Sequence, residues 1–176
     1  MRESISIDSN CYTYLLEALN SEQGPEGDTA AEQIAMLKLY LYLDSIFAVT
    51  STVQAEYREI RDEERRDFHE STNMTLIDTF HHIDAERVKR RALEVLPHHK
   101  NRLKDCKILA ESELGGADFL LTYDKDFILN LGLHARDLVI LKPSELLAQK
   151  EIPRGATPNK VPHNTNPLSK VEFWRI

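Results

Sequence analysis

The chain is poor in cysteine: Cys11 and Cys106 are its only two, in 176 residues. They lie too far apart for a zinc-ligand spacing, and both fall inside apolar helical patterns. They therefore read as reduced core thiols, not as a disulfide framework or a metal knuckle. No stretch approaches the ~20 consecutive apolar residues of a membrane span. Met1-Arg2-Glu3-Ser4 has neither the charged nor the apolar region of a signal peptide, so a cytoplasmic protein without membrane contact is expected. An excess of basic charge is missing too. A net charge of -7 argues against binding nucleic acid over a broad surface. No internal repeat is evident. The histidine pairs His81-His82 and His98-His99 lack the partner spacing of a zinc site, and a solvated or capping role is the simpler reading. No Ser, Cys and His constellation offers a metal-free nucleophilic route.

What is present is ordinary in size and unusual in where its acids fall. An apolar share of 41% suffices for the core of one domain, expected over residues 1-150. From Glu151 onward, Pro153, Gly155, Pro158, Pro162 and Pro167 preclude a regular helix, so 151-176 reads as an extended Pro- and Asn-rich tail. Its apolar end, Val171-Glu172-Phe173-Trp174-Arg175-Ile176, is expected to dock on its own domain or on a second subunit.

Four acids punctuate the domain. Asp8 follows Ile5-Ser6-Ile7, a strand pattern, and precedes a helical pattern from Ser9 to Leu16. Asp124 closes the strand-like run Ala117 to Thr122. Glu56 lies in the helical stretch Thr52 to Ile60, after the strand candidate Ile46 to Thr50. Asp105 opens the helical pattern Cys106 to Leu114. Acids at the carboxyl ends of strands face the binding crevice of an open α/β sheet. Helices entering after strands are expected to bring all four carboxylates to one edge. Hard cations such as Mg2+ or Mn2+ take oxygen ligands, and three or four acids suffice to hold them. Such a site activates water and neutralises charge on a phosphodiester.

The remaining pattern is mostly helical. Thr29 to Leu43 reads as a long apolar helix capped by Asp28 or Thr29, with more apolar surface than one core contact needs, and hence as a surface for self-association or a protein partner. Arg58 to Asp67 reads as an exposed, alternately charged helix face. Asp84 to Leu96 reads as a capped helix ended by Pro97. Leu138 to Leu141 is a late strand, and a short helix begins at Pro143. A basic run from Arg87 to Lys104 ends beside Asp105. Within it Arg90, Arg91, Lys100, Arg102 and Lys104 are candidates for holding RNA phosphates, against the plainer reading of a solvated face.

Three segments together resemble the PIN-domain ribonucleases, the family that includes the VapC-type toxins. They are Ile5-Ser6-Ile7-Asp8-Ser9-Asn10, then Thr50 to Tyr57 around Glu56, and then Lys104-Asp105-Cys106-Lys107-Ile108-Leu109-Ala110 followed by Gly116-Ala117-Asp118-Phe119-Leu120-Leu121-Thr122-Tyr123-Asp124-Lys125-Asp126-Phe127. The third is the most specific, and the resemblance runs from about Ile5 to Leu147. It implies a three-layer α/β/α fold around a central parallel sheet. Asp8, Glu56, Asp105 and Asp124 would form a catalytic Mg2+/Mn2+ pocket that hydrolyses RNA. It assigns the fourth acid to the first Asp of the Thr-x-Asp-x-Asp ending, leaving Asp126 outside the principal set. Asn10 and Thr122 would orient the ligating carboxylates. The resemblance also implies a homodimer and, for a toxin, an antitoxin segment laid over the acidic pocket. The rival expectation is an inactive scaffold that binds protein or RNA with the same sheet. A receiver domain needs paired acids after its first strand, and a haloacid-type phosphatase needs Asp-x-Asp there; Asn10 stands in that second place.

Overall fold

The computed structural model describes residues 2–99 and 102–176; Lys100, one of the candidate phosphate contacts, lies outside the described residues. Five short strands build one parallel sheet: β1 (Ser4–Ile7), β2 (Ile46–Val49), β3 (Asp78–Thr79), β4 (Phe119–Leu121) and β5 (Val139–Leu141), in the order β3-β2-β1-β4-β5. Eight α-helices among the described residues flank it. They are α1 (Ser9–Leu19), α2 (Ala30–Tyr42), α3 (Ser51–Arg58), α4 (Glu63–Thr75), α5 (Ala85–Val95), α6 (Leu103–Leu114), α7 (Lys125–Leu131) and α8 (Pro143–Lys150). A parallel sheet is covered on both faces, so its strands read as continuous apolar runs. Ile5, Ile7, Leu120 and Leu121 are accordingly shielded from solvent altogether. The one polar residue inside β1, Ser6, is also wholly buried, and its hydroxyl meets that of Ser112 on α6 at 2.7 Å. A hydroxyl in a core must find such a partner.

The chain steps outward from β1 to β2 and β3, then returns to lay β4 on the other side of β1. That reversal puts the topological switch point between β1 and β4, where connections diverge and leave a crevice beyond the strand ends. Entry into β4 uses Gly115-Gly116. A Cβ on Gly115 would come within 2.5 Å of the Phe80 ring, and Gly116 takes φ +77, so both positions favour glycine. Asp118, the acid of the Gly-Ala-Asp turn, accepts from the Ser4 N–H at 2.8 Å and ties the start of β4 to that of β1.

Several boundaries differ from the sequence expectation. The charged run Arg58 to Asp67 is not one helix: α3 ends at Arg58 and α4 begins anew after Asp62, whose side chain accepts from the Arg65 N–H at 2.9 Å. Thr29 occupies the N-cap position of α2 without a side-chain cap bond. Asp105 sits inside the first turn of α6, two residues after its start. The helix expected from Asp84 behaves as read, with Asp84 accepting from the Glu86 and Arg87 N–H groups and a 3-10 turn at Leu96–His98 around Pro97. Among the described residues, no helix is long and apolar enough to cross a membrane.

The apolar face of α2, expected as an interface, is covered by the chain itself. Leu37, Tyr40 and Leu41 are buried. The tail closes the carboxyl end of α2, where a helix leaves carbonyls without partners. Lys160 donates its N–H to the Leu41 carbonyl at 2.9 Å and its ammonium to the Tyr40 carbonyl at 3.0 Å, and the Asn159 amide donates to the Tyr42 carbonyl. A cation there also meets the negative end of the helix dipole. Lys160 stands 4.6 Å above the Tyr40 ring, a cation–π contact. Trp174 is buried, and its indole N–H donates to the Leu168 carbonyl at 2.8 Å. Cys11 and Cys106 are both free and buried, as core thiols would be.

Candidate active site

Four elements deliver the four acids to one cleft. Asp8 follows β1, Glu56 lies on α3, Asp105 on the first turn of α6 and Asp124 just past β4; with Ser9, Asn10, Ile108 and Phe127 they line a cavity of about 200 Å³. It opens at the carboxyl ends of β1 and β4, at the switch point. Asp8 and Asp124 are both helix caps and cleft residues at once. Asp8 Oδ1 accepts from the Cys11 N–H at 2.7 Å, capping α1, while Oδ2 accepts from the Thr122 hydroxyl. Asp124 Oδ1 accepts from the Asp126 and Phe127 N–H groups at 2.7 and 3.1 Å, capping α7, and Oδ2 turns to Arg102 at 2.9 Å. Capping fixes each carboxylate to the helix behind it. Thr122 couples the two, since its Oγ1 also accepts from the Asp124 N–H at 3.0 Å.

Glu56 is positioned from a turn away. Thr50 caps α3 by accepting from the Val53 N–H at 3.2 Å, and the buried Glu111 of α6 accepts from the Ser51 hydroxyl at 2.5 Å and the Thr52 N–H at 3.0 Å. A carboxylate at a helix N-terminus satisfies its orphan donors, so Glu111 pins α3 to α6. Glu56 then accepts from the Ser9 hydroxyl and faces Lys104 at 3.8 Å.

Asp105 has a partner that sequence patterning misses. The ring of His99 is fully buried, and its Nε2 lies 2.7 Å from Asp105 Oδ2. This corrects the expectation of a solvated or capping histidine at 99. No local signal marks the role, because the contact joins residues six apart on two different elements. Arg102 also differs from a simple phosphate contact. Its guanidinium lies 2.9 Å from Asp124, 3.6 Å from Asp126 and 3.9 Å from Asp105.

The electrostatics reflect crowding of negative charge. Burial pushes the Asp8 carboxyl up to about 6, with the Asp105 carboxylate adding to the rise; the Thr122 and Cys11 hydrogen bonds oppose it. In this arrangement no three His, Cys, Asp or Glu side chains among the described residues converge tightly enough to hold a metal ion. Arg102 and Lys104 supply the positive charge instead. The donor set nonetheless fits a hard divalent cation, since four carboxylates on one cleft are the oxygen ligands such ions take. Asp8, buried and facing another acid, gains most from a cation.

The other candidates scatter. Asn10 lines the cleft, but its side-chain amide makes no hydrogen bond among the described residues, so it does not orient a carboxylate here. Arg91 is buried and spent on a two-pronged pair with Glu113 at 2.7 and 2.9 Å, which corrects its reading as a phosphate contact. Arg90 lines a separate cavity with Arg91, Glu113 and Arg136, at the far end of α6 from Asp105. Only Arg102 and Lys104 of the described basic candidates reach the acids.

No family model and no curated protein matches the chain. Solved structures do. VapC20 from Mycobacterium tuberculosis, described as a sarcin-ricin loop cleaving toxin, superposes with a TM-score of 0.52 at 16% identity, over 77% of this chain and 98% of that one. FitAcB from Neisseria gonorrhoeae gives 0.48 at 12% identity, over 79% and 97%. VapBC2 from Rickettsia felis, bound to a DNA fragment from its promoter, gives 0.47 at 12% identity, over 78% and 97%. Five parallel strands between layers of helices, superposable on VapC20 over nearly its whole length, give the chain the three-layer PIN-like fold.

Proposed function

We propose that the protein is an endoribonuclease that hydrolyses RNA phosphodiester bonds with Mg2+ or Mn2+ held among Asp8, Glu56, Asp105 and Asp124. One observation carries this reading: four carboxylates from four separate elements meet in a single cleft at the switch point of the sheet. Caps alone do not require that meeting. The likeness in fold to a toxin described as cleaving the sarcin-ricin loop makes RNA the substrate class to test first.

A hard divalent cation bound there supplies an activated water and screens charge building on the phosphate. The chain's own groups prepare the site. Thr122 and the Cys11 N–H fix both oxygens of Asp8, His99 fixes Asp105, and Ser9 fixes Glu56. Arg102 and Lys104 neutralise the carboxylates until a cation arrives, then turn to the RNA phosphates. Lys104 also lines a neighbouring cleft of about 500 Å³ with Lys89 and Lys107. Glu86 and Glu111 line that cleft too, so its three lysines give it only a small positive excess with which to meet RNA phosphates.

The test is cleavage of a mixed RNA substrate by the purified protein. Mn2+ or Mg2+ should support cutting, EDTA should stop it, and Asp8→Asn or Asp105→Asn should each reduce the rate at least a hundredfold while the circular dichroism spectrum is kept. Cutting that survives EDTA or either substitution overturns the reading. RNA binding without cutting under any divalent metal favours the scaffold alternative. The same reading includes a homodimer and, if the protein is a toxin, an antitoxin segment over the acid cleft. Light scattering tests the first. Growth arrest on expression, relieved by the adjacent reading frame, tests the second.

A further inference from the structure

Helix α4 supplies none of the four acids of the cleft, yet it holds both helices that meet at Glu56. Ser9 at the start of α1 donates to Glu56 of α3, and α4 bonds to each of these helices from behind. Two buried polar residues one turn apart on α4, His69 and Asn73, make the connection. His69 serves α1. Its carbonyl accepts from the Tyr12 hydroxyl at 2.5 Å, and its Nδ1 donates to the Arg65 carbonyl at 2.7 Å, which leaves Nε2 to accept from the Thr13 hydroxyl at 3.2 Å. Asn73 serves α3. Its Oδ1 accepts from Gln54 Nε2 at 2.7 Å and from the Tyr57 hydroxyl at 2.8 Å, and its Nδ2 donates to the Ile77 carbonyl at 3.1 Å and the Thr79 hydroxyl at 3.3 Å. A primary amide offers two lone pairs and two N–H groups. Asn73 therefore spends its full complement, both acceptances on α3 and both donations on the segment that forms β3.

We infer that Asn73 is a positioning residue for Glu56, fixing where α3 stands and so where the Glu56 carboxylate lies among the other three acids; the inference rests on the nuclease reading of the cleft. Gln54 and Tyr57 are three residues apart and share a face of α3, while Glu56 leaves from another toward Ser9 and Lys104. The helix is only eight residues long, about two turns. Glu111 pins its first turn through Ser51 and Thr52, and Asn73 pins its second. With the first pin alone a short helix can pivot, carrying Glu56 with it. Packing of Tyr57 and Val53 resists that pivot weakly, because apolar contact has no direction, whereas a fully satisfied buried polar network holds one arrangement. A leucine in place of Asn73 would fill similar space and leave the Gln54 amide and the Tyr57 hydroxyl without their acceptor.

The test is Mn2+ binding to the full-length protein, measured by calorimetric titration with the metal alone, with a thermal melt of each variant. Groups that orient metal ligands directly are worth roughly 10- to 100-fold in affinity, and Asn73 acts one step further back, so Asn73→Leu should weaken Mn2+ binding by about tenfold. Asn73→Asp keeps both acceptances from α3 and loses the donations toward β3. It should melt lower than wild type yet hold Mn2+ to within about threefold of it, a split that a merely structural role would not produce. In a Glu56→Gln background, Asn73→Leu should cause no further loss, the mark of a residue acting through Glu56. The double variant Gln54→Met with Tyr57→Phe removes the same two bonds from the α3 side and should reproduce the loss, which decides the matter if Asn73→Leu does not fold. Wild-type affinity after both bonds are removed, or a loss that persists in the Glu56→Gln background, overturns the positioning role and leaves the nuclease reading standing. Mn2+ binding that depends on Asn73 in a protein that cuts no RNA sustains the positioning role and removes the nuclease reading. Wild type that binds no Mn2+ removes both.

Discussion

His99 Nε2 donates to Asp105 Oδ2 across 2.7 Å from a ring wholly shielded from solvent, whereas His98 beside it is exposed and stacks on His134 with centroids 3.7 Å apart. An ionised carboxylate only accepts, so the proton-bearing nitrogen faces Asp105, and Nδ1 faces the Asn130 amide nitrogen at 3.4 Å. The Phe127 ring, 5.8 Å away by centroid, completes the packing.

That bond fixes where the Asp105 oxygens point. Partners that orient metal-ligating groups are worth roughly 10- to 100-fold in affinity. His99→Ala should therefore weaken Mn2+ binding by about that factor in calorimetric titration, and destabilise the fold by about 2–3 kcal/mol through the cavity it leaves. His99→Gln restores an N–H donor and should recover part of the affinity, while His98→Ala should leave it unchanged. Equal affinity in His99→Ala would remove the positioning role.

The Asp8 carboxyl gives a pH-dependent prediction. Its value rises from 3.8 to about 6 on folding, so the native state holds this proton more tightly than the unfolded chain does. The associated stability is complete below about 3.8 and is lost as pH climbs through about 6. A rise of that size corresponds to about 3 kcal/mol of strain in the metal-free protein at pH 7. Asp8→Asn removes the charge but has one acceptor where Asp8 uses two, so one of the Cys11 and Thr122 bonds is lost, costing about 1 kcal/mol. The net expectation is a metal-free variant more stable than wild type by about 1–2 kcal/mol at pH 7 and less stable at pH 4. Denaturant melts at the two pH values check this. Mn2+ should then raise the wild-type midpoint and not that of the variant.

The parts of this molecule that are legible in its sequence are those set by local pattern. Strand-then-acid-then-helix is visible in Ile5 to Leu16 because alternation, cap and helical period follow one another within a dozen residues. The same holds from Ala117 to Phe127. Arg58 to Asp67 misleads, because alternating charge carries no sign of the break that Asp62 caps. The two-residue strand β3 offers no periodicity at all. Arg91 and His99 are hidden for a different reason: their roles come from Glu113 and Asp105 on a neighbouring helix, and composition does not report such contacts. The acids are readable as a set, and Arg102 and Lys104 as basic residues near Asp105, but not which of the basic run pair with the acids.

Arg102 stands among Asp105, Asp124 and Asp126, so it competes with a divalent cation for the same carboxylates. Arg102→Ala should tighten Mn2+ binding several-fold. It should also weaken RNA binding and lower the slope of log affinity against log salt by about 0.7, the loss of one phosphate contact on a single strand. Because Arg102 is nearly half exposed, its ion pairs contribute less than about 1 kcal/mol to stability. Looser Mn2+ binding in the variant would show that Arg102 supports the metal and does not oppose it.

The tail gives a prediction with its own optical reporter, since Trp174 is the sole tryptophan. Its indole is buried beside Leu168, Tyr42 lies 6.5 Å from it by ring centroid, and Asn159 and Lys160 satisfy the last carbonyls of α2. Trp174→Ala removes a large buried ring and should cost about 3–5 kcal/mol. Deleting residues 151–176 should cost at least as much, because it also leaves the Tyr40, Leu41 and Tyr42 carbonyls without partners and uncovers aromatic surface. In the intact protein, tryptophan emission should move to longer wavelength in the same transition that melts the helices, since the tail holds the end of α2 and is not an independent appendage. The truncated chain should aggregate through the uncovered end of α2, visible as a scattering mass that rises with concentration beyond that of the homodimer proposed for the full chain. A truncated protein that melts at the wild-type temperature and keeps the full chain's scattering mass would show that the tail lies on the domain without supporting it.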